Sequence, residues 1–184
     1  MTKLRVFESV SIDGYFTDKD NKIDWAHAGQ GDDPEFTEWV SANASKGGAL
    51  LFGRKTYQEM AAFWPTPEAA HQMPVVANGM NTARKYVVTN TIKPTWQNSQ
   101  RLDGDLGAAV QQLKAASGTD ITLLGSGDIA TQLGELGLVD EYQFVIIPIA
   151  LGSGRTLFSN TCNLRLLDQR AFPCGNVVVT YVTR

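Results

Sequence analysis

Apolar and polar positions along this chain change period repeatedly, and each change marks an element. Residues 3–10, KLRVFESV, alternate closely enough for a strand. A polar loop rich in Gly and Asp follows and keeps no period. Asp33 then stands where a helix N-cap is expected and Pro34 where a first helical residue is, and Phe36, Trp39 and Val40 share one face of the helix they open. Gly47 and Gly48 end it. The run ALLF (49–52) reads as a buried strand, and KTYQEMAAFW (55–64) as a helix stopped by Pro65. Residues 65–84 are ambiguous. KYVVTN (85–90) reads as a strand, and LGAAVQQLKAAS (106–117), after a loop through Trp96, as a helix with Gly118 past its end. ITLLG (121–125) reads as a buried strand, DIATQLGELG (128–137) as a helix and DEYQFVIIPIAL (140–151) as a long strand. LRLLDQRAF and NVVVTYVTR close the chain as a hairpin around Pro173 to Asn176.

Strands taking turns with helices, then a hairpin, predict one α/β domain over residues 1–184 with a largely parallel sheet and an antiparallel edge. No linker or internal repeat interrupts it; LGSG begins at both Leu124 and Leu151, in different surroundings. Composition changes this picture little. With 184 residues, 43% hydrophobic and 19% charged, the chain has enough apolar material for one globular core. A net charge of −3 without a basic run argues against a nucleic-acid partner. Apolar runs such as Phe144 to Leu151 are far too short to span a membrane. Cys162, Cys174, His27 and His71 lack the spacing of a disulfide framework or a metal site. A metal-free, cytoplasmic protein with a small-molecule substrate is the expectation.

Candidate chemistry gathers where strands give way to helices, since ligands of open α/β sheets bind beyond the carboxyl ends of the strands. Three such junctions carry unusual residues. FGRKT places Gly53, Arg54, Lys55 and Thr56 at a helix start, where unpaired N–H groups and partial positive charge favour an anion. VVTNT offers the hydroxyls of Thr89 and Thr91. LLGSGDIATQL fits G-x-G-x-x-A through Gly125, Ser126, Gly127, Asp128, Ile129 and Ala130. This last match lies late in the chain and has no acidic residue ending the next strand, which sets it apart from a Rossmann fingerprint. Two anion-ready turns are best explained by one dinucleotide spanning both. Arg54, with its forked donors, suits a ribose 2′-phosphate and so NADPH.

These stretches resemble the dihydrofolate-reductase-like superfamily, and especially its branch containing the reductase domain of riboflavin biosynthesis. SIDGYF is similar to the branch's S-x-D-G-x motif, FGRKTYQEM to the G-R-x-T-x-E cofactor stretch and LLGSGDIATQL to the glycine-rich turn. LVDEYQFVIIPIALGSGRTLF is similar to a late signature. The resemblance covers nearly the whole chain and implies a three-layer fold, bound NADPH and hydride transfer to a pterin- or pyrimidine-like ring. It implies that Gly53 to Thr56 hold phosphates and adenosine ribose, that Gly125 to Ile129 lie under the pyrophosphate, and that the loop from Ser11 closes over nicotinamide and substrate. Folate reductases of the superfamily orient the pterin with a carboxylate on the first helix; the corresponding position falls near Thr37, with Glu38 beside it. Asp13 is the other candidate acid, and Trp25 and Phe63 are candidate substrate contacts. For a substrate phosphate, Lys85, Arg101, Arg155 and Arg165 are the available cations. The resemblance also implies a homodimer, for which FVIIPIAL offers an apolar surface if it is not a central strand. The alternatives are the 5-amino-6-(5-phosphoribosylamino)uracil reductase of riboflavin biosynthesis and a non-catalytic NADP-binding module.

Overall fold

A computed structural model describes residues 2–27 and 33–184. Its centre is an eight-stranded sheet ordered β5-β4-β3-β6-β1-β7-β10-β9, with β1 Leu4–Ser11, β3 Ala49–Gly53, β4 Arg84–Val88, β5 Ser99–Leu102, β6 Ile121–Leu124, β7 Glu141–Ile147, β9 Leu164–Ala171 and β10 Val177–Thr183. The six strands from β5 to β7 are mutually parallel, and β10 runs antiparallel to both β7 and β9. A separate two-stranded ribbon pairs β2 Tyr15–Thr17 with β8 Arg155–Thr156.

The helices divide by face. α5 Leu106–Ala116 and α6 Gly127–Glu135 bury Val110, Leu113, Ile129, Ala130 and Leu133 against Leu4, Val6, Leu51, Ile121 and Leu123. On the other face, Tyr57 of α2 Arg54–Phe63 and Val76 and Met80 of α4 Pro74–Thr82 cover Phe52 and Val87. Phe36 of α1 Pro34–Ser45 covers Val145, Ile147 and Val178. The result is the three-layer, mostly parallel arrangement expected, with the antiparallel hairpin at one edge. Asp33 caps α1 by accepting from Glu35 and Phe36 N–H, as anticipated.

Three differences have local causes. Residues 65–84 form α3 Pro67–Gln72 and α4, each opened by a proline whose missing N–H is harmless in a first turn. The long strand predicted to Leu151 stops at Ile147, because Pro148 has no N–H for the ladder and Ile149 N–H turns back to the Ile147 carbonyl, 2.8 Å away. β7 lies between β1 and β10 with Val145 and Ile147 buried, so the FVII half of FVIIPIAL is central strand, while Pro148 to Leu151 leave the sheet with Pro148 and Ala150 exposed. Exposed apolar side chains lie instead on the edge strand β9, at Leu166 and Leu167.

Candidate active site: two glycine turns at the switch point of the sheet

Chain direction locates the crevice. β1 and β3 feed helices on one face, whereas β6, between them, feeds α6 on the other. Loops leaving adjacent strand ends in opposite directions open a gap at β6, where α/β sheets bind ligands. The turn after β3 and the turn after β6 meet there. Ser126 adopts a left-handed backbone, φ 61°, which swings its hydroxyl across to the other turn. Its Oγ accepts from Gly53 N–H at 2.7 Å and donates to Thr56 Oγ1 at 3.0 Å. Approach is close: a Cβ on Gly53 would stand 2.6 Å from Ser126 Oγ, and Gly125, at φ 57°, would put one 3.2 Å from Thr56 Cγ2. Ser126→Ala is therefore expected to leave Gly53 N–H unpaired and to lower stability by about 1–2 kcal/mol in urea unfolding.

Both turns also leave helix starts open. α1, α3 and α5 begin on side-chain caps from Asp33, Thr66 and Asp105. α2 and α6 have no side-chain cap, and neither has α4, which runs on from α3 through Pro74. First-turn N–H groups of α2 thus lie beside the exposed Arg54 and Lys55, the former donating to Gln58 Oε1 at 2.8 Å. Gly53, Arg54, Lys55, Thr56, Gly125, Ser126, Gly127 and Asp128 are brought into one region. Ile129 is different: its side chain is buried in the core and its N–H is used by the Ser126 carbonyl at 2.8 Å. Thr89 is buried too, its hydroxyl accepting from Thr91 N–H (3.2 Å) and Ile92 N–H (3.4 Å) to cap its own turn.

The ribbon borders α6. Phe16 fills the space that a Cβ on Gly127 would need, its Cζ 2.1 Å from that position. Arg155 lies over the Phe16 ring, 5.2 Å from its centroid, and pairs with Asp128. Asp13, a candidate acid from the sequence, is committed to this scaffold. Its carboxylate accepts from Ser11 Oγ (2.6 Å), Leu151 N–H (3.1 Å) and Gly152 N–H (2.7 Å). The Ser11 and Gly152 bonds draw its pKa down to about 2. A carboxylate so held ties the S-x-D-G loop to the loop after β7; it is a clamp and has no proton to give near neutral pH.

Other expected substrate contacts are scattered. Thr37 is exposed and bonds the Asp33 carbonyl, and Glu38 is exposed; the buried carboxylate at α1 is its N-cap Asp33, which accepts from Glu35, Phe36 and Cys174 N–H. Trp25 is half-buried against the α1-side core, with its indole N–H on the Lys22 carbonyl at 3.2 Å. Phe63 is the last residue of α2, about 14 Å along the helix from Arg54 by its rise, and rests on Trp64. The loop segment 28–32 lies outside the described residues. The four cations do not converge. Lys85 is buried at the start of β4, Arg101 pairs with Asp103, Arg155 with Asp128, and Arg165 lies on the exposed edge strand. One ionisable residue escaped the sequence reading altogether: Glu8, on β1 beside Gly125, has a carboxyl oxygen, Oε2, that is buried without a partner. Among the described residues no group of His, Cys, Asp and Glu is arranged to hold a metal, and no helix is long and apolar enough to cross a membrane.

The three-layer architecture, with its mostly parallel sheet and antiparallel terminal hairpin, is a dihydrofolate-reductase-like fold, and comparison with known proteins agrees. The RibD C-terminal domain family matches residues 2–180, and the chain belongs to it. It is 28% identical over 178 residues to the uncharacterized protein YyaP of Bacillus subtilis, covering 94% of this chain and 90% of that one. Among solved structures it is similar to a putative riboflavin biosynthesis protein from Shewanella sp. PV-4, with TM-score 0.72, 22% identity and coverage of 100% and 99%. It is also similar to a pyrimidine reductase-like protein from Corynebacterium diphtheriae, with TM-score 0.63, 15% identity and coverage of 100% and 92%.

Proposed function

We propose that the protein is an NADPH-dependent reductase of the riboflavin-biosynthesis type, acting on a small pyrimidine-like substrate. The observation that carries this reading is the Ser126 bridge, which sets two uncapped helix starts side by side at the switch point. Family membership favours a pyrimidine over a pterin, and the exposed positions of Thr37 and Glu38 agree, the buried Asp33 carboxylate before them being taken up by the N–H groups of Glu35, Phe36 and Cys174.

NADPH would supply the hydride. The α2 start, Arg54 and Lys55 would hold phosphate groups through N–H donors and formal charge. Thr56 and Ser126 would keep the two turns at fixed spacing, and Gly125 would let a pyrophosphate approach the backbone. Asp13 would hold the loop bordering the crevice in place. A nicotinamide fluorescence titration tests the reading. Wild type is expected to bind NADPH in preference to NADH, and Arg54→Ala with Thr56→Ala to weaken NADPH at least tenfold. Equal affinity in the double variant would remove the physical basis of the proposal. A non-catalytic NADP-binding module, the second reading, rests on the scattered substrate contacts; turnover of a pyrimidine substrate separates the two.

A further inference from the structure

Glu8 occupies a position where the alternation of β1 calls for an apolar side chain. It follows Leu4 and Val6 on the face covered by α5 and α6, paired with Phe144 of β7 on one side. On the other side the sheet ends in the glycine turn, where Gly125 N–H reaches the Phe7 carbonyl at 3.3 Å. Oε1 accepts from Ser9 N–H at 3.2 Å, while Oε2 is shielded from solvent and has no hydrogen-bond partner. Oε2 stands 4.0 Å from the point where a Cβ on Gly125 would lie. Buried polar atoms are nearly always paired, so an orphan beside a ligand crevice points to a partner that arrives with the ligand.

Among the described residues no charge compensates Glu8, and Lys114, the one charged residue of α5, pairs with Asp140. Arg5 and Glu141 pair with each other on the opposite face of β1 and β7. On the elements packed around Glu8, Tyr142 of β7 stays neutral, its pKa pushed up to about 12 by burial. Asp128 of α6 is paired with Arg155 of the ribbon, and Arg54 and Lys55 of α2 are exposed. β6 brings no titratable side chain. Burial therefore holds the carboxyl in its neutral form, with a pKa raised to about 8. A neutral carboxyl donates a hydrogen bond to a phosphate oxygen; an ionised one repels it.

Building on the dinucleotide reading above, we propose that Glu8 is a binding residue of the same site, donating its O–H to a pyrophosphate oxygen where the dinucleotide crosses Gly125. Binding then requires the protonated side chain, and alkaline pH releases the ligand. The test is an NADPH titration of wild type, Glu8→Gln and Glu8→Leu from pH 7 to 9.5, followed by nicotinamide fluorescence, with circular dichroism confirming that each variant is folded. In wild type the Kd is expected to rise towards tenfold per pH unit above about 8. Glu8→Gln keeps a neutral donor, so its affinity should match wild type at pH 7 and stay flat through that range. Glu8→Leu should bind at least tenfold more weakly at pH 7. Infrared difference spectra give a second readout: a protonated-carboxyl band lost in Glu8→Gln should shift when NADPH is added. Parallel pH dependence in wild type and Glu8→Gln, or wild-type affinity in Glu8→Leu, would overturn the role of Glu8 while leaving the dinucleotide site intact. No NADPH binding by wild type at any pH would overturn the site and this role together.

Discussion

Glu8→Gln is expected to be more stable than wild type at pH 9, by up to about 5 kcal/mol, and nearly equal to it at pH 4. The sign follows from where the proton goes. Below pH 4.5 the carboxyl is protonated in both folded and unfolded chains, so no difference accumulates. Between 4.5 and about 8 the unfolded chain releases a proton that the buried site retains, and stability falls as pH rises. Above about 8 both states are ionised and the whole penalty is present. At about 1.4 kcal/mol per pKa unit, the rise from 4.5 to about 8 sets the ceiling. Glutamine cannot ionise, so its stability should not fall over that window. Urea unfolding of both proteins at several pH values measures the divergence; parallel curves would mean that Glu8 ionises as freely in the folded chain as in the unfolded one.

Lys85→Met is expected to cost about 3 kcal/mol, the largest loss among the substitutions considered. Lys85 is fully buried, and its ammonium donates to three carbonyls, those of Asn81 (3.1 Å), Ala83 (2.8 Å) and Gln97 (3.1 Å). It also lies 4.4 Å from the centroid of the Trp96 ring. Methionine matches the volume and fills the space but takes the ammonium from all three acceptors; the Asn81 carbonyl keeps Gln97 Nε2 (3.2 Å) and Asn98 Nδ2 (3.3 Å), whereas those of Ala83 and Gln97 lose a buried charged donor, at about 1–3 kcal/mol each. Thermal unfolding should show a clear fall in Tm. NADPH binding should change much less, because Lys85 sits at the start of β4 and the crevice at the carboxyl ends of the strands. A variant as stable as wild type would show that the carbonyls of Ala83 and Gln97 find other donors.

Lys85 also illustrates which parts of the molecule could be read from the chain. Listed by type it is a cation suited to a phosphate. Only the fold shows it closing the loop before β5, together with Asn81, which accepts from the Trp96 indole at 2.8 Å. Elements with their own apolar period, such as β1, β3, α5 and α6, were legible because the period reports the face each one buries. β5 was not: as an edge strand, Ser99 to Leu102 has no buried face to impose alternation. The two glycine turns were legible because Gly, Ser and Thr at a strand end carry their meaning locally. Asp13 and Glu8 were not. Asp13 meets Leu151 and Gly152 at the other end of the chain, and an Asp-Gly pair reads equally as a turn and as an acid. Glu8 becomes unusual only once β6 and β7 have closed around β1 and taken the water away.

That closure has a consequence for how the protein is made. β1 pairs with β6 and β7, so the strand nearest the chain start finds both its neighbours among residues 121–147. A ribosome adding about 5–20 residues per second leaves roughly 5–20 s between completing Ser11 and delivering Ile121. Throughout that interval β1 has no native partner on either edge, and the gap between β1 and β3 stays open until β6 is inserted. A nascent chain stalled before β6 would expose an apolar strand with two free edges, and it is at that stage of synthesis that a chaperone would find its binding segment.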